Sequence, residues 1–318
     1  MQSLTSRIEG WLYHPQGFWQ HLLIWALSPL GWIVCFASWR SLHQPAPKAS
    51  PLPVVAVGNL TAGGTGKTPL ILALSRSFQK PAIILRGYGR QSRGLVVVAQ
   101  NGQRLADLKT SGDEAALYAT LAPEAIVIVS EDRLSGIHKA HALGAEVVFL
   151  DDAFRHRHIE KLDLLIRPTP EPINTRCLPA GPYRLPIKAY DLADRILTEG
   201  VDFTRRVQVE NATEKMVLFT AIARPQRLEP FLPPLAGRVL FGDHHPFTPQ
   251  EAKEALARYN ATSLLVTHKD AVKLIDFGVP LSILALEVIL SDSLTRSVTD
   301  YCTIKGASGY NIHPKERP

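Results

Sequence analysis

The sequence predicts an α/β fold: a mostly parallel-sheet domain, a second, smaller α/β domain, and an apolar helix ahead of both. Three observations predict it. From residue 53 onward, β-branched, strand-like runs alternate with helical segments. A glycine-rich turn joins the first of these strands to the first helix. All five tryptophans (Trp11, Trp19, Trp25, Trp32 and Trp39) fall in the first 39 residues, and none occurs in the rest of the 318-residue chain. At 46% hydrophobic and 20% charged residues, the composition is globular and excludes a mostly disordered chain. Three distant cysteines (Cys35, Cys177 and Cys302) exclude a disulfide scaffold and offer no zinc spacing. A formal charge of +6 suits an anionic partner.

The N-terminal segment comes first. No Asp, Glu, Lys or Arg occurs between Glu9 and Arg40. The 23 residues from Gly17 to Trp39 would span roughly 35 Å as a helix at ~1.5 Å per residue, against a hydrocarbon core of about 30 Å. The last four tryptophans, spaced 6, 7 and 7 residues apart, stay on one slowly drifting helix face, as suits rings at a membrane interface. Pro29 and Gly31 would kink a spanning helix. A signal peptide fits less well, because the only early positive charge is Arg7 and no small-x-small cleavage site follows. The alternative is a buried helical hairpin packed on the main domain. Residues 1–44 are thus expected to associate with a membrane, and the proline-rich residues 45–52 to form a semi-rigid linker.

The run Pro53 to Asn59 (PVVAVGN) is expected as a buried strand. Thr61-Ala62-Gly63-Gly64-Thr65-Gly66-Lys67-Thr68 follows, then a helix beginning near Pro69. Strand, glycine-rich turn, Lys-Thr and helix are what a nucleoside triphosphate needs: backbone N–H groups and a helix N-terminus for phosphate oxygens, Lys67 for the β and γ phosphates, and the Thr68 hydroxyl for Mg²⁺. The turn departs from the usual P-loop at its first position, where Thr61 stands for glycine, so its entrance is expected to turn differently. Downstream, the strand Ala145 to Leu150 ends in Asp151-Asp152, where a P-loop enzyme holds Mg²⁺ or its water ligands. Two solvated aspartates are the alternative.

Ser111-Gly112-Asp113-Glu114 precedes a helical run. Ser111 or Asp113 could be a helix cap and Glu114 a first-turn dipole partner, or these carboxylates could orient an acceptor hydroxyl near the γ-phosphate. Arg86-Gly87-Tyr88-Gly89-Arg90 and Arg155-His156-Arg157-His158 are basic clusters, able to grip an anion or simply solvated. Asp243-His244-His245 is too sparse for a complete metal site. Its histidines could be satisfied near a helix start, or one could orient Asp113.

The loop, Arg86-Gly-Tyr-Gly-Arg90, Gly112-Asp-Glu114, Asp151-Asp-x-Phe-x-His156, Leu178-Pro-Ala-Gly-Pro182, Ala223-Arg-Pro225 and Asp243-His-His245 occur in one order. With the apolar N-terminus, that order resembles the tetraacyldisaccharide 4′-kinase family over about residues 10–290. The resemblance implies two α/β domains and transfer of a phosphate from ATP, with Mg²⁺, to the 4′-hydroxyl of an acylated glucosamine disaccharide 1-phosphate. It further implies the cytoplasmic face of a Gram-negative inner membrane, with membrane lipid as a partner and neither nucleic acid nor an obligate protein partner. Residue by residue, it implies Lys67 and Thr68 as phosphate and Mg²⁺ residues, Asp113 as catalytic base with His244 as its partner, and Glu114 nearby. Asp151 and Asp152 would hold the Mg²⁺ shell, and Arg86, Arg90 and His156 would lie near phosphates or substrate. Three departures stand out: Leu85 for a common Ser, Leu185 for Glu, and His268 for Glu.

Strands are expected near 53–58, 81–85, 94–99, 125–130, 145–150 and 163–167, with helices near 66–78, 112–121 and 131–143. The pattern resumes with strands near 194–198, 215–222, 237–242, 262–267 and 282–289 and helices near 225–232, 249–259, 269–276 and 291–302. The expected division is a P-loop domain over 53–186, a second domain over 187–303 and a mobile tail over 304–318, with nucleotide in the cleft between domains. Two other functions fit the motifs: a membrane-attached regulatory NTPase, and a non-catalytic lipid-binding relative. A guanine-specific switch does not fit, since Lys269 and Asp270 are adjacent.

Overall fold

The computed structural model describes residues 10–222, 225–243 and 245–306. His244, Ala223, Arg224 and all but the start of the expected tail therefore lie outside the described residues.

Alternation of buried side chains builds the larger sheet. In β1 (Val54–Gly58), Val55 and Val57 point to one face, while Val54 and Ala56 point to the other. The same alternation runs through β2 (Pro81–Leu85), β5 (Ile126–Val129) and β6 (Val147–Asp151). Buried on both faces, these strands read as continuous apolar runs, as parallel strands do. With β3 (Val96–Gln100), β4 (Gln103–Arg104), β7 (Leu162–Ile166) and β8 (Arg195–Leu197), they form eight strands in the order β4-β3-β5-β2-β6-β1-β7-β8. Only the β3 pairings are antiparallel. The helix α2 (Lys67–Ser75), the short α3 (Leu108–Ser111) and α4 (Asp113–Leu121) fall between the early strands, and α5 (Arg133–Ala142) follows β5. The helices α2 and α4 cover one face of the sheet and α5 the other.

A smaller, five-stranded sheet has the order β11-β10-β12-β13-β9. Its parallel members are β10 (Met216–Thr220), β11 (Gly237–Leu240), β12 (Ser263–Thr267) and β13 (Leu281–Leu290), with α6 (Pro249–Tyr259) and α7 (His268–Leu274) between them. The long strand β9 (Phe203–Glu210) is an addition to the expected set and pairs antiparallel with β13, from Phe203 opposite Leu290 to Glu210 opposite Ile283. Two findings depart from the expected division at residue 186. The strand expected near 194–198 is β8, and it pairs with β7 in the larger sheet. The final helix, α8 (Asp292–Ile304), also returns to the larger core, where Leu294, Val298 and Cys302 pack with Val55, Leu74 and Phe149. Phe203 and Val288 join that same cluster, so β9 and β13 of the smaller sheet reach the larger core, while the rest of that sheet packs on clusters of its own around Phe219 and Leu265.

Ahead of both lies α1 (Phe18–Arg40), which continues through Pro29 and Gly31. Its packed face is made mostly of small residues. Ile24, Ser28, Gly31 and Ser38 are buried, whereas Trp19, Trp25 and Trp32 are each at least 70% exposed. The polarity of an ordinary surface helix is thus reversed, with its largest apolar groups facing outward. Trp39 is the exception among the regularly spaced tryptophans and half-packs on a cluster containing Leu42 and Tyr183. The hairpin alternative is not what the structure shows. By length and composition α1 is the one described helix able to cross a membrane.

The packing of α1 depends on Gly31, where a Cβ would stand 3.0 Å from both the Ala180 Cβ and the Cys177 carbonyl oxygen. Close by, Cys35 is disulfide-bonded to Cys177. Overpacking such a contact costs about 1–3 kcal/mol. A Gly31→Leu variant is therefore expected to melt several degrees lower and to expose residues 174–182 to faster hydrogen exchange.

Candidate nucleotide and phosphoryl-transfer site

The site grows from the C-terminal end of β1, which lies between β6 and β7. Thr61 does not turn the chain. It is fully buried and bridges antiparallel to Tyr183. On either side, the Ala62 N–H donates to the Pro182 carbonyl and the Arg184 N–H to the Leu60 carbonyl, each at 2.7 Å. The turn is deferred to Gly63 and Gly66, whose φ angles of 90° and 83° suit glycine. Gly66 is required twice over, since a Cβ there would meet the Arg205 guanidinium at 2.7 Å. Arg205 reaches in from β9 to donate to the Thr65 carbonyl at 2.8 Å and is itself held by Glu199 at 2.7 Å. The smaller lobe therefore braces the loop, and α2 begins directly at its end with Lys67. The exposed Gly63 and Gly64 border the same loop.

Lys67 lies in a polar cluster. Its ammonium is 3.0 Å from Asn59 Oδ1 and 3.7 Å from Asp152 Oδ1. Arg184 grips Asp152 through two bonds of 2.8 and 3.1 Å and also donates to Asn59 Oδ1 at 2.7 Å. Burial pushes the Asp152 carboxyl up, but the Lys67 ammonium and the Arg184 guanidinium outweigh it and hold the group below the ordinary range.

Asp151, at the end of β6, has a different environment. It is 5% exposed, and the buried Tyr118 hydroxyl donates to its Oδ2 at 2.9 Å. The Thr68 side chain is hydrogen-bonded to that same tyrosine. Burial raises the Asp151 carboxyl to about 7, Lys67 opposes, and the charges of Glu114 and Asp152 add to the rise. Its Oδ1 is buried and has no hydrogen-bond partner among the described residues. A buried carboxylate oxygen so placed suits a divalent cation, and the neighbouring Thr68 and Asp152 supply further oxygen donors. No group of three or more His, Cys, Asp or Glu among the described residues makes a metal cage. One or two carboxylates with the rest of the shell from phosphates and water is the usual arrangement for Mg²⁺.

Asp113 begins α4. The helix cap is Gly112, without a side-chain bond, and the Ser111 hydroxyl donates instead to the Asp107 carbonyl at 2.7 Å, so neither Ser111 nor Asp113 serves as the cap. The Asp113 Oδ2 is 2.8 Å from the ammonium of Lys273 on α7. Its expected partner, His244, lies outside the described residues. The neighbouring His245 is satisfied structurally, stacked on Phe241 with its Nε2 3.0 Å from Glu251 Oε1.

Not every expected residue converges. Arg86 is exposed on the loop after β2, and its charge reaches the buried Arg133. Arg90 departs from the expected anion-gripping role. Its side chain is only 3% exposed, and its guanidinium bonds Glu131 at 2.5 Å, the Gly94 carbonyl at 2.6 Å and Ser92 at 3.2 Å. Ser92 and Gly94 belong to its own loop and Glu131 to the loop after β5, so Arg90 ties these two loops together. Leu185 is buried with Leu60, Phe154 and Tyr183, where a carboxylate would be costly, and His268 lies 4.0 Å from Glu210.

His156 lies in a cationic setting. Burial, with Arg133, His158 and Lys161 adding, lowers its imidazole to about 4. The unfolded chain therefore takes up this proton first, near 6.5. Stability from neutral His156 is fully present above that pH and is lost as pH falls toward about 4. The difference in melting temperature between wild type and His156→Gln is expected to shrink on acidification through this window. A difference independent of pH would contradict the assignment.

Sequence reasoning missed Arg184, Arg205, Asn59, Tyr118 and Lys273. Arg184, Arg205, Tyr118 and Lys273 act through partners distant in sequence, with little local pattern to mark them. Asn59, eight residues before its partner Lys67, and Arg184, beside the noted Leu185, stand next to noted motifs that give no sign of their roles.

A glycine-rich turn between β1 and α2, a buried Asp151 at the end of the adjacent strand with the exposed Asp152 next to it, and a carboxylate at a neighbouring helix start define a P-loop phosphotransferase of the α/β class. The chain matches the family described as Tetraacyldisaccharide-1-P 4'-kinase over residues 23–214 and 201–302. It is 40% identical, over the full length of both chains, to the Tetraacyldisaccharide 4'-kinase of Helicobacter pylori (strain ATCC 700392 / 26695). To the enzyme of the same name from Campylobacter jejuni subsp. jejuni serotype O:23/36 (strain 81-176), it is 41% identical over 92% of this chain and 95% of the relative. Its fold matches a crystal structure of LpxK from Aquifex aeolicus in complex with ATP, with a TM-score of 0.74 and 26% identity, covering 88% of this chain and 99% of that one. The chain belongs to the tetraacyldisaccharide 4′-kinase family.

Proposed function

We propose that this protein transfers the γ-phosphoryl group of ATP to the 4′-hydroxyl of a tetraacylated glucosamine disaccharide 1-phosphate at the cytoplasmic face of the inner membrane. The observation that carries the reading is the unpartnered, buried Asp151 Oδ1 beside the Lys67–Asp152–Arg184 cluster at the N-terminus of α2. Family membership and the ATP-bound structural relative support it.

In this reading the backbone of Gly63, Gly64, Thr65 and Gly66 surrounds the phosphates, because the extended Thr61 and the Ala62 N–H, expected to join them, are already engaged by Tyr183 and Pro182, and Lys67 exchanges its contacts with Asn59 and Asp152 for the β and γ phosphates. Thr68, Asp151 and Asp152 would hold Mg²⁺, which when bound neutralises charge on the β and γ phosphate oxygens. Asp113 accepts the proton of the 4′-hydroxyl as the new O–P bond forms, and ADP departs with the electrons of the broken P–O bond. His244 is assigned as the partner of Asp113, and Glu114, Arg86 and His156 line the approach of the anionic substrate. The outward aromatic face of α1 keeps the enzyme at the depth where the acyl chains remain in lipid.

The test is single-turnover transfer from γ-labelled ATP to lipid presented in vesicles. Label in the disaccharide, at the 4′ position, supports the proposal. Label released as inorganic phosphate at a rate independent of lipid would favour a regulatory NTPase.

A further inference from the structure

Lys273 stands outside every motif noted above, yet its side chain is only 6% exposed and faces a catalytic carboxylate. It rises from α7 of the smaller lobe, which packs against α4 of the larger. Its ammonium is 2.8 Å from Asp113 Oδ2, 3.5 Å from the His245 carbonyl and 5.7 Å from the centre of the Phe247 ring. The aromatic face and the carbonyl satisfy the ammonium in part, while Asp113 is its one carboxylate among the described residues.

Enclosing an ammonium this way is costly, and an apolar residue of similar length would pack there without that cost. A lysine used only to join the lobes is therefore a poor choice. A lysine that must hold one carboxylate oxygen in a fixed direction is a good one, because its compact charge binds without the planar fork of arginine. The Asp113 side chain starts at the first turn of α4, just after Gly112, and Lys273 holds its Oδ2 from the facing helix of the other lobe.

We infer that Lys273 is a positioning residue for phosphoryl transfer: an ammonium supplied by the smaller lobe that aims the Asp113 carboxylate at the acceptor hydroxyl. The inference rests on the reading of Asp113 as the base. It also gives the two-lobed architecture a role, since the base is aligned only when α7 is seated on α4.

The test compares wild type with Lys273→Met, Lys273→Arg, Lys273→Ala and Asp113→Asn, each as full-length protein in lipid vesicles. Misplacing a reacting group by about 1 Å costs on the order of 10²-fold in rate. Lys273→Met is accordingly expected to lower kcat by about 10- to 100-fold, with the KM for lipid and the affinity for ATP unchanged and the melting temperature unchanged or raised. Lys273→Arg should recover part of the lost kcat, and methylammonium should restore Lys273→Ala in a saturable way. Wild-type kcat in Lys273→Met would overturn the inference. So would a loss that follows the melting temperature and responds to neither arginine nor methylammonium. If Asp113→Asn turns over at the wild-type rate, the base assignment itself falls. An inactive Asp113→Asn beside an unimpaired Lys273→Met removes Lys273 alone.

Discussion

Asp113→Asn is expected to lower turnover by about 10²- to 10⁴-fold while ATP binds as tightly as before. The substitution keeps the shape of the side chain and removes its ability to accept a proton. ATP affinity is preserved because the loop, Lys67, Asn59 and Arg184 form a cluster built without Asp113. A purely structural Asp113 predicts something else. A lost helix cap would cost ~1 kcal/mol of stability and leave kcat intact. The structure already weakens that alternative, because Gly112 holds the cap position. Asparagine would also leave the buried Lys273 without a counter-charge, so some loss of stability is expected as well. Rate and melting temperature must therefore be measured together, with Asp113→Glu as the variant that keeps the charge. Inactive Asn with partly active Glu would mark a base.

The triple variant Trp19→Ser, Trp25→Ser, Trp32→Ser is expected to lose vesicle binding by roughly 10³-fold. Each ring is at least 70% exposed in the structure, so each can enter lipid without breaking a packing contact. Burying a large apolar side chain is worth at least ~1.5 kcal/mol, and three together give about 4–5 kcal/mol. For the same reason the melting temperature in water should not change. Co-sedimentation with anionic vesicles reads the partition directly. A variant that still sediments with vesicles would assign the apolar face to some other contact.

The sequence carried the larger sheet and the loop well, and the reasons are local. PVVAVGN, PAIIL and AEVVFL are short apolar runs buried on both faces, and Gly66-Lys67-Thr68 stands where a strand hands over to a helix. The strand β9 was harder to see. Phe203, Val207 and Val209 do alternate along it, but Arg205 and Arg206 interrupt the apolar signal. Arg205 is there to hold the loop, a purpose visible only once residue 65 lies beside it. The entrance of the loop was legible in part. Thr61 in place of glycine predicts an altered turn, and the turn is deferred to Gly63 and Gly66, but the reason, an extended Thr61 fastened to Tyr183 more than a hundred residues later, has no local mark. The glycine-rich surroundings of Arg90 suggest an anion-gripping or solvated side chain, whereas its partner Glu131 comes from the loop after β5. The Asp113–Lys273 pair joins two lobes, and no spacing in the chain announces it.

Phosphate transfer to a lipid sugar is tested most directly by incubating the purified full-length protein with ATP, Mg²⁺ and tetraacylated disaccharide 1-phosphate, then fragmenting the lipid in a mass spectrometer. The expected product carries one added phosphate, on the distal glucosamine at its 4′ oxygen, and forms in proportion to ADP. Consumption of ATP with the lipid recovered unchanged would contradict the proposed activity.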